Sequence, residues 1–239
     1  LFFLELLMTA HSSWIDIAVE GGSLPAYLSL PPGGSGPGVV LIQEIFGVNA
    51  HIRSVADQYA QAGYVVIAPD IFWRSQPRVE LDYTQEGTQR GIELMQQVDL
   101  AKTVADIGAS AQALRARADV TGKVAAIGYC FGGRLAYTAA AHGLVDAAIA
   151  YYGGGIQDNL ALAGQVTVPI QFHYGEKDSH ITLSAVEQVQ AAFKGHPNAQ
   201  FNIYPNADHG FNCAARASYQ QNAAALALGR SLQFLAQNL

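Results

Sequence analysis

Val124-Ala125-Ala126-Ile127-Gly128-Tyr129-Cys130-Phe131-Gly132-Gly133 is the stretch from which the fold is read: an apolar strand runs into Gly-x-Cys-x-Gly and then into an alanine-rich helix. This pattern is a nucleophile elbow with cysteine in place of serine. A strand-to-helix turn this tight strains the backbone of its central residue, and flanking side chains larger than hydrogen collide with neighbouring chain. Glycines therefore stand two before and two after. The same turn sets Cys130 at a helix N-terminus, where the dipole and the free N–H groups favour an anionic sulfur. The Phe131 N–H follows as an oxyanion donor. A competing reading makes Cys130 a small buried residue in a glycine-rich helix start; the strand and helix on either side weigh against it.

Outward from the elbow, short and nearly continuous apolar runs recur: Val39 to Ile42, Tyr64 to Ala68, Ala147 to Tyr152, Ile170 to Tyr174 and Phe201 to Tyr204. Runs without polar alternation indicate strands buried on both faces, as in a parallel sheet. Helical spacing fills the gaps, at about 51 to 62, 99 to 117, 131 to 142, 182 to 194 and 215 to 237. Strand and helix alternate, the pattern of a doubly wound α/β domain, and with no internal repeat one domain over 12 to 239 is expected. Before it, Trp14 to Val19 and Ala26 to Leu30 alternate about Gly21 and Gly22 and read as a hairpin. Residues 71 to 98, with Pro77, Gly87 and Gly91, read as an excursion over the carboxyl edge of the sheet.

A cysteine nucleophile needs a base, and behind such an elbow an acid and then a histidine follow in chain order, each on a loop after a strand. The strand Ile170 to Tyr174 leads into Gly175-Glu176-Lys177-Asp178, and the strand ending at Tyr204 leads into Pro205-Asn206-Ala207-Asp208-His209. Asp178 and His209 are the expected acid and base. The rivals are Glu176 and Asp208 as acids, and His51, His142, His173 and His180 as bases; of these His180, two residues after Asp178, competes best. His173 within a strand and His142 at a helix end suit packing or solvent, and His51 with Arg53 reads as a solvated helix face. A further acid, Glu44, ends the buried strand Val39 to Ile42. A carboxylate beside a reactive cysteine either opposes thiolate formation by its charge or takes the thiol proton, so it would make reactivity conditional.

Composition bounds the partners. Half of the 239 residues are apolar or aromatic and 13% are charged, which excludes a disordered chain. Thirteen Lys and Arg against nineteen Asp and Glu give a formal charge of −6 with no basic run, so no nucleic-acid partner is expected. Two cysteines, Cys130 and Cys213, fit a reducing compartment, and a cytoplasmic location is expected. Leu1 to Leu7 lack the positive start of a signal peptide and are too short to span a bilayer, so no membrane partner is expected; Met8 reads as a start and 1 to 11 as an N-terminal extension. No metal is expected, since no His or Cys pair has zinc-type spacing, and no cofactor, since no glycine-rich dinucleotide fingerprint follows a strand.

Together, Gln-Glu-Ile-Phe-Gly-Val-Asn (43 to 49), Ala-Pro-Asp (68 to 70), Gly-Tyr-Cys-Phe-Gly-Gly (128 to 133), Tyr-Tyr-Gly (151 to 153), Gly-Glu-Lys-Asp (175 to 178) and the His209 loop resemble the dienelactone hydrolase family. The resemblance runs in the family's order over about 12 to 238. It implies an α/β-hydrolase fold, a mostly parallel central sheet flanked by helices, with Cys130, Asp178 and His209 as a cysteine triad. It implies that Glu44 holds the thiol at rest and accepts its proton when substrate binds, and that Ile45 and Phe131 give the backbone oxyanion donors. The implied substrate is dienelactone, a butenolide with a carboxylate arm, opened to maleylacetate by a monomer. Arg90 and Tyr152 are the implied substrate-binding residues. One departure stands out: four residues after the histidine, where characterised members carry a carboxylate-gripping arginine, this chain has Cys213, with Arg216 nearby. A general carboxylesterase or thioesterase, or a non-catalytic, redox-responsive ligand-binding member, are the alternatives.

Overall fold

The computed structural model describes residues 10–239. Most of the expected N-terminal extension lies outside the described residues, and at its end His11 already opens a strand. Strand β1 (His11–Val19) turns through Glu20 and Gly21 into β2 (Gly22–Leu30), antiparallel, with Val19 opposite Gly22. Gly21, at φ 85°, supplies the left-handed conformation that this two-residue turn demands.

The chain divides into two compact units, one running to Ala125 and one from Ala126 to Leu239. The first holds β1, β2, β3 (Gly36–Ile42) and β4 (Val65–Pro69), with helices α1 (Ala50–Gln61), α2 (Gln85–Gln96) and α3 (Leu100–Arg115). There β2 pairs antiparallel with β4, and β4 pairs parallel with β3. The division falls inside β5 (Val120–Tyr129), which leads to α4 (Phe131–Ala141). The second unit continues with β6 (Ala147–Tyr151), a 3-10 helix (Gln157–Gln165), β7 (Ile170–Gly175), α5 (Leu183–Ala192), β8 (Ala199–Tyr204) and α6 (Gln221–Asn238). Strands β6, β7 and β8 are parallel in register, Ala148 beside Ile170 and Ile170 beside Ala199. The strand order is β1-β2-β4-β3-β5-β6-β7-β8, the mostly parallel sheet that was expected.

Every residue of β4 and β6 is buried, as continuous apolar runs require of interior parallel strands. The run Phe201 to Tyr204 departs from that expectation. It lies at the sheet edge, where only Tyr204 is buried and Ile203 is exposed. The last helix begins at Gln221 rather than 215. Residues 213 to 220 form successive turns, with Arg216 N–H bonded to the Cys213 carbonyl and Gln220 N–H to the Phe211 carbonyl, and the Gln220 side chain caps the helix by accepting from Ala223 N–H at 2.6 Å. The excursion at 71 to 98 contains α2, capped by Thr84, whose hydroxyl accepts from Gly87 N–H.

Candidate active site

The elbow is built by the end of β5 and the start of α4. Cys130 sits at φ 55° and ψ −115°, a conformation that costs on the order of 1–3 kcal/mol in a non-glycine residue. Neighbouring chain holds it there: Cys130 N–H donates to the Tyr151 carbonyl at 3.0 Å, and the Cys130 carbonyl accepts from Gly133 N–H at 3.0 Å and Arg134 N–H at 3.3 Å. The glycines are steric requirements. A Cβ at Gly128 would strike the Gly132 carbonyl, and one at Gly133 would lie 2.7 Å from the Tyr151 carbonyl oxygen. Phe131 N–H has no acceptor among the described residues, which leaves it available beside the sulfur.

Two loops bring the other expected residues to the sulfur. After β7, the Asp178 carboxylate accepts His180 N–H at 2.8 Å and Ile181 N–H at 2.9 Å on one oxygen, and its other oxygen lies 2.8 Å from His209 Nδ1. After β8, His209 presents Nε2 to Cys130 Sγ at 3.1 Å. The loops are tied to each other by Lys177 N–H on the Ala207 carbonyl at 2.8 Å and Asn206 N–H on Glu176 at 2.9 Å. The result is an unbroken hydrogen-bonded chain from Asp178 through His209 to Cys130, with the acid and the histidine both buried.

Charge in this chain is set by competing effects on the imidazole. Burial pushes the His209 pKa down, but attraction to the Cys130 sulfur as thiolate and the hydrogen bond that Nδ1–H donates to Asp178 outweigh it and lift it to about 10. A group so placed can carry a proton to a leaving group and take one from water.

The rivals have other employment. Glu176 accepts from Asn206 N–H, and Asp208 accepts from His209 N–H at 2.7 Å, so each shapes a loop. His173 is wholly buried between Tyr204 Oη and Gln171 Oε1, both at 2.8 Å, and burial, then Arg230, pushes its pKa down to about 3. His142 caps the exposed end of α4. His180 turns its ring edge-on to His209 at 5.1 Å while its N–H serves Asp178, a supporting position. His51 and Arg53 correct the expectation of a solvated face: the His51 ring meets Tyr83 at 6.4 Å, and Arg53 pairs with Glu80 at 2.7 Å and the Val48 carbonyl at 2.8 Å.

In the first unit Glu44 is fully buried and accepts a hydrogen bond from Tyr83 Oη at 3.2 Å; Tyr83 in turn accepts from Asn49 Nδ2. Sequence reasoning missed Tyr83, which lies 39 residues along the chain from Glu44, and quoted Asn49 only within the 43 to 49 motif without a role. Ile45 is buried, with its carbonyl against Gly91. Arg90 stands on an exposed face of α2 and spends its donors on Gln76 at 2.8 Å and Glu93 at 3.2 Å. Tyr152 is fully buried at φ 36°, with its N–H on the His173 carbonyl at 2.7 Å and its ring 5.1 Å from that of His209. The guanidinium of Arg216 lies against Gly210, one residue past His209, where a Cβ would be 2.5 Å from Nη1. Arg134, also missed, stacks its guanidinium over the Phe131 ring at 4.9 Å. Its readable sign was a positive charge in the first turns of a helix, where the dipole disfavours it.

Known proteins agree with this architecture. The sequence matches the dienelactone hydrolase family over residues 24–239. Among its relatives are carboxymethylenebutenolidase 1 of Cupriavidus pinatubonensis, 35% identical over 91% of this chain and 93% of that one, and a carboxymethylenebutenolidase of a Pseudomonas species, 36% identical over 91% and 92%. A crystal structure assigned as a dienelactone hydrolase from Klebsiella pneumoniae superposes with a TM-score of 0.86 at 32% identity, covering 95% of this chain and 99% of that one. A family match that begins in β2 and runs to the last residue, joined to relatives aligned over almost their whole length, makes this chain a member of the dienelactone hydrolase family and a hydrolase of ester or lactone bonds.

Proposed function

We propose that the enzyme opens a small lactone or activated ester through a thioester on Cys130. The sulfur attacks the substrate carbonyl carbon, a C–S bond forms, and the carbonyl electron pair moves onto oxygen, where the Phe131 N–H and, by family resemblance, the Ile45 N–H receive it. Collapse restores the carbonyl and breaks the C–O bond, and the leaving oxygen takes the His209 proton. His209 then removes a proton from water as the hydroxyl adds to the thioester; breaking the C–S bond releases the acid and returns thiolate and imidazolium. Asp178 holds the imidazole orientation throughout. The observation that supports this reading is the chain Asp178 Oδ2, His209 Nδ1 and Nε2, Cys130 Sγ, at 2.8 and 3.1 Å. The family pattern offers a different first step, in which Glu44 partners a resting thiol, accepts its proton when substrate arrives and passes that proton, in place of the one from His209, to the leaving oxygen.

The substrate that the family resemblance implies is dienelactone, opened to maleylacetate, and the names of the carboxymethylenebutenolidase relatives are consistent with it. Steady-state kinetics on dienelactone and on neutral aryl esters test this: kcat/KM at least about tenfold higher on dienelactone is expected, the scale of one well-made contact to a charged group. Equal or greater efficiency on the neutral esters would reject it and leave a carboxylesterase or thioesterase. That second reading draws on Cys213, at the position where the family resemblance implies a carboxylate-gripping arginine, and on Arg90 being already engaged by Gln76 and Glu93. No helix among the described residues is long and apolar enough to cross a membrane.

A further inference from the structure

We infer that Arg134 is a specificity-determining residue: its guanidinium receives a carboxylate carried by the substrate, one helical turn from the sulfur that attacks. This rests on Cys130 being the nucleophile. Arg134 stands four residues after Cys130 on α4, and its backbone N–H already bonds to the Cys130 carbonyl. Its side chain lies over the Phe131 ring at 4.9 Å, and against the turn after β6, where a Cβ at Gly155 would come within 2.9 Å of Nη1. The neighbouring Gly154 has open space, with nothing within 4 Å of where a Cβ would stand.

Beyond the Phe131 ring, the charge has no direct partner. A guanidinium carries five N–H donors in a planar fork. Yet among the described residues the Arg134 guanidinium makes no hydrogen bond and no ion pair; only its backbone is bonded, N–H to the Cys130 carbonyl and carbonyl to the Thr138 hydroxyl. It is half-buried, so solvent serves it only in part. It also sits near the N-terminus of α4, where the helix dipole repels a cation. Burial lowers its pKa, and the charges of Asp158 and of Cys130 as thiolate act the other way. Asp158 lies beyond ion-pair distance and accepts from Gln157. Three unfavourable conditions, partial burial, a repelling dipole and unfilled donors, are relieved together by one planar anion in the fork. Arg90 cannot take that part without breaking its contacts to Gln76 and Glu93.

The test pairs two probes of similar size: the para-nitrophenyl monoester of glutaric acid, which is anionic, and para-nitrophenyl butyrate, which is neutral. Arg134→Gln should lower the ratio of kcat/KM, anionic over neutral, by about tenfold or more, the scale of a bidentate charged contact. Arg134→Lys, which keeps the charge but not the fork, should fall between, and it replaces the glutamine variant if that one does not fold. Glutarate binding to Cys130→Ala by calorimetry, with and without Arg134→Gln, reads the same contact without turnover. A tenfold or greater loss of affinity supports the inference even if neither ester is hydrolysed, an outcome that would count against the nucleophile alone. A glutarate affinity within twofold of the parent, or an ester ratio that stays within twofold while both esters slow together, overturns it.

Discussion

Cys130 Sγ and His209 Nε2 lie 3.1 Å apart, and which of them carries a proton decides whether the sulfur is a nucleophile. Burial opposes an imidazolium at His209, while the thiolate and Asp178 favour it, and the balance lifts its pKa to about 10. Because the folded value lies above the unfolded one of about 6.5, the stability contributed by the charged imidazole is complete below the lower value and lost as pH rises through the upper. Following the His209 ring proton by NMR should give a titration near 10 in the parent. In Cys130→Ser, which removes the negative sulfur but leaves the burial, the midpoint should move down; an unmoved midpoint would show that the sulfur carries no charge at rest. Glu44 belongs to the same scale. If it receives the thiol proton, Glu44→Gln should lower kcat by at least about tenfold, the low end of a general-base effect, without a comparable rise in KM. Turnover within twofold of the parent would reject that role. These residues differed in how openly the sequence announced them. Cys130, Asp178 and His209 each follow a strand and a glycine- or proline-marked turn, whereas Arg134 is a lone cation in a helix and acquires meaning only when its neighbours are known.

At the scale of the element, the β5–α4 turn carries the strain that exposes the sulfur, and its glycines make that strain affordable only in one backbone path. Gly128→Ala puts a methyl group into the Gly132 carbonyl, and urea unfolding should show a loss of at least about 2 kcal/mol, the middle of the overpacking range. A change under about 0.5 kcal/mol, the scale of an ordinary surface substitution, would mean that the turn relaxes and the steric account fails. The elbow was legible because three constraints coincide there: an apolar strand, glycines at fixed spacing and an alanine-rich helix. Other elements were less so. Alanines 214, 215 and 217 suggest helix, but the chain there is committed to turns through the Cys213, Arg216 and Phe211 carbonyls, and α6 waits for the Gln220 cap. The 3-10 helix at Gln157–Gln165 went unread because three polar residues are followed by Leu160-Ala161-Leu162-Ala163, which has no helical period, and Asn159 departs from helical geometry within it.

Over the whole molecule, the order of the chemistry along the chain follows from the order of the strands. Cys130 follows β5, Asp178 follows β7 and His209 follows β8, so all three stand at carboxyl ends of strands, where open α/β sheets place their sites. That order, and a doubly wound α/β pattern with it, could be read from apolar runs and turns, because a parallel sheet buries its interior strands on both faces and writes them as unbroken hydrophobic stretches; the α/β-hydrolase fold itself was implied by the family resemblance. Substrate preference could not, because it depends on which cations are already engaged, as Arg90 is by Gln76 and Glu93. The central claim is that acyl transfer runs through the sulfur of Cys130, and the measurement that meets it most directly is rapid-quench mass spectrometry of peptides from enzyme mixed with an activated ester. The account predicts an added acyl mass on the peptide containing Cys130, formed within the first turnover and absent in Cys130→Ala, which should lose at least about a thousandfold in kcat. An acyl group found on another residue, or turnover in Cys130→Ala close to that of the parent, would contradict it.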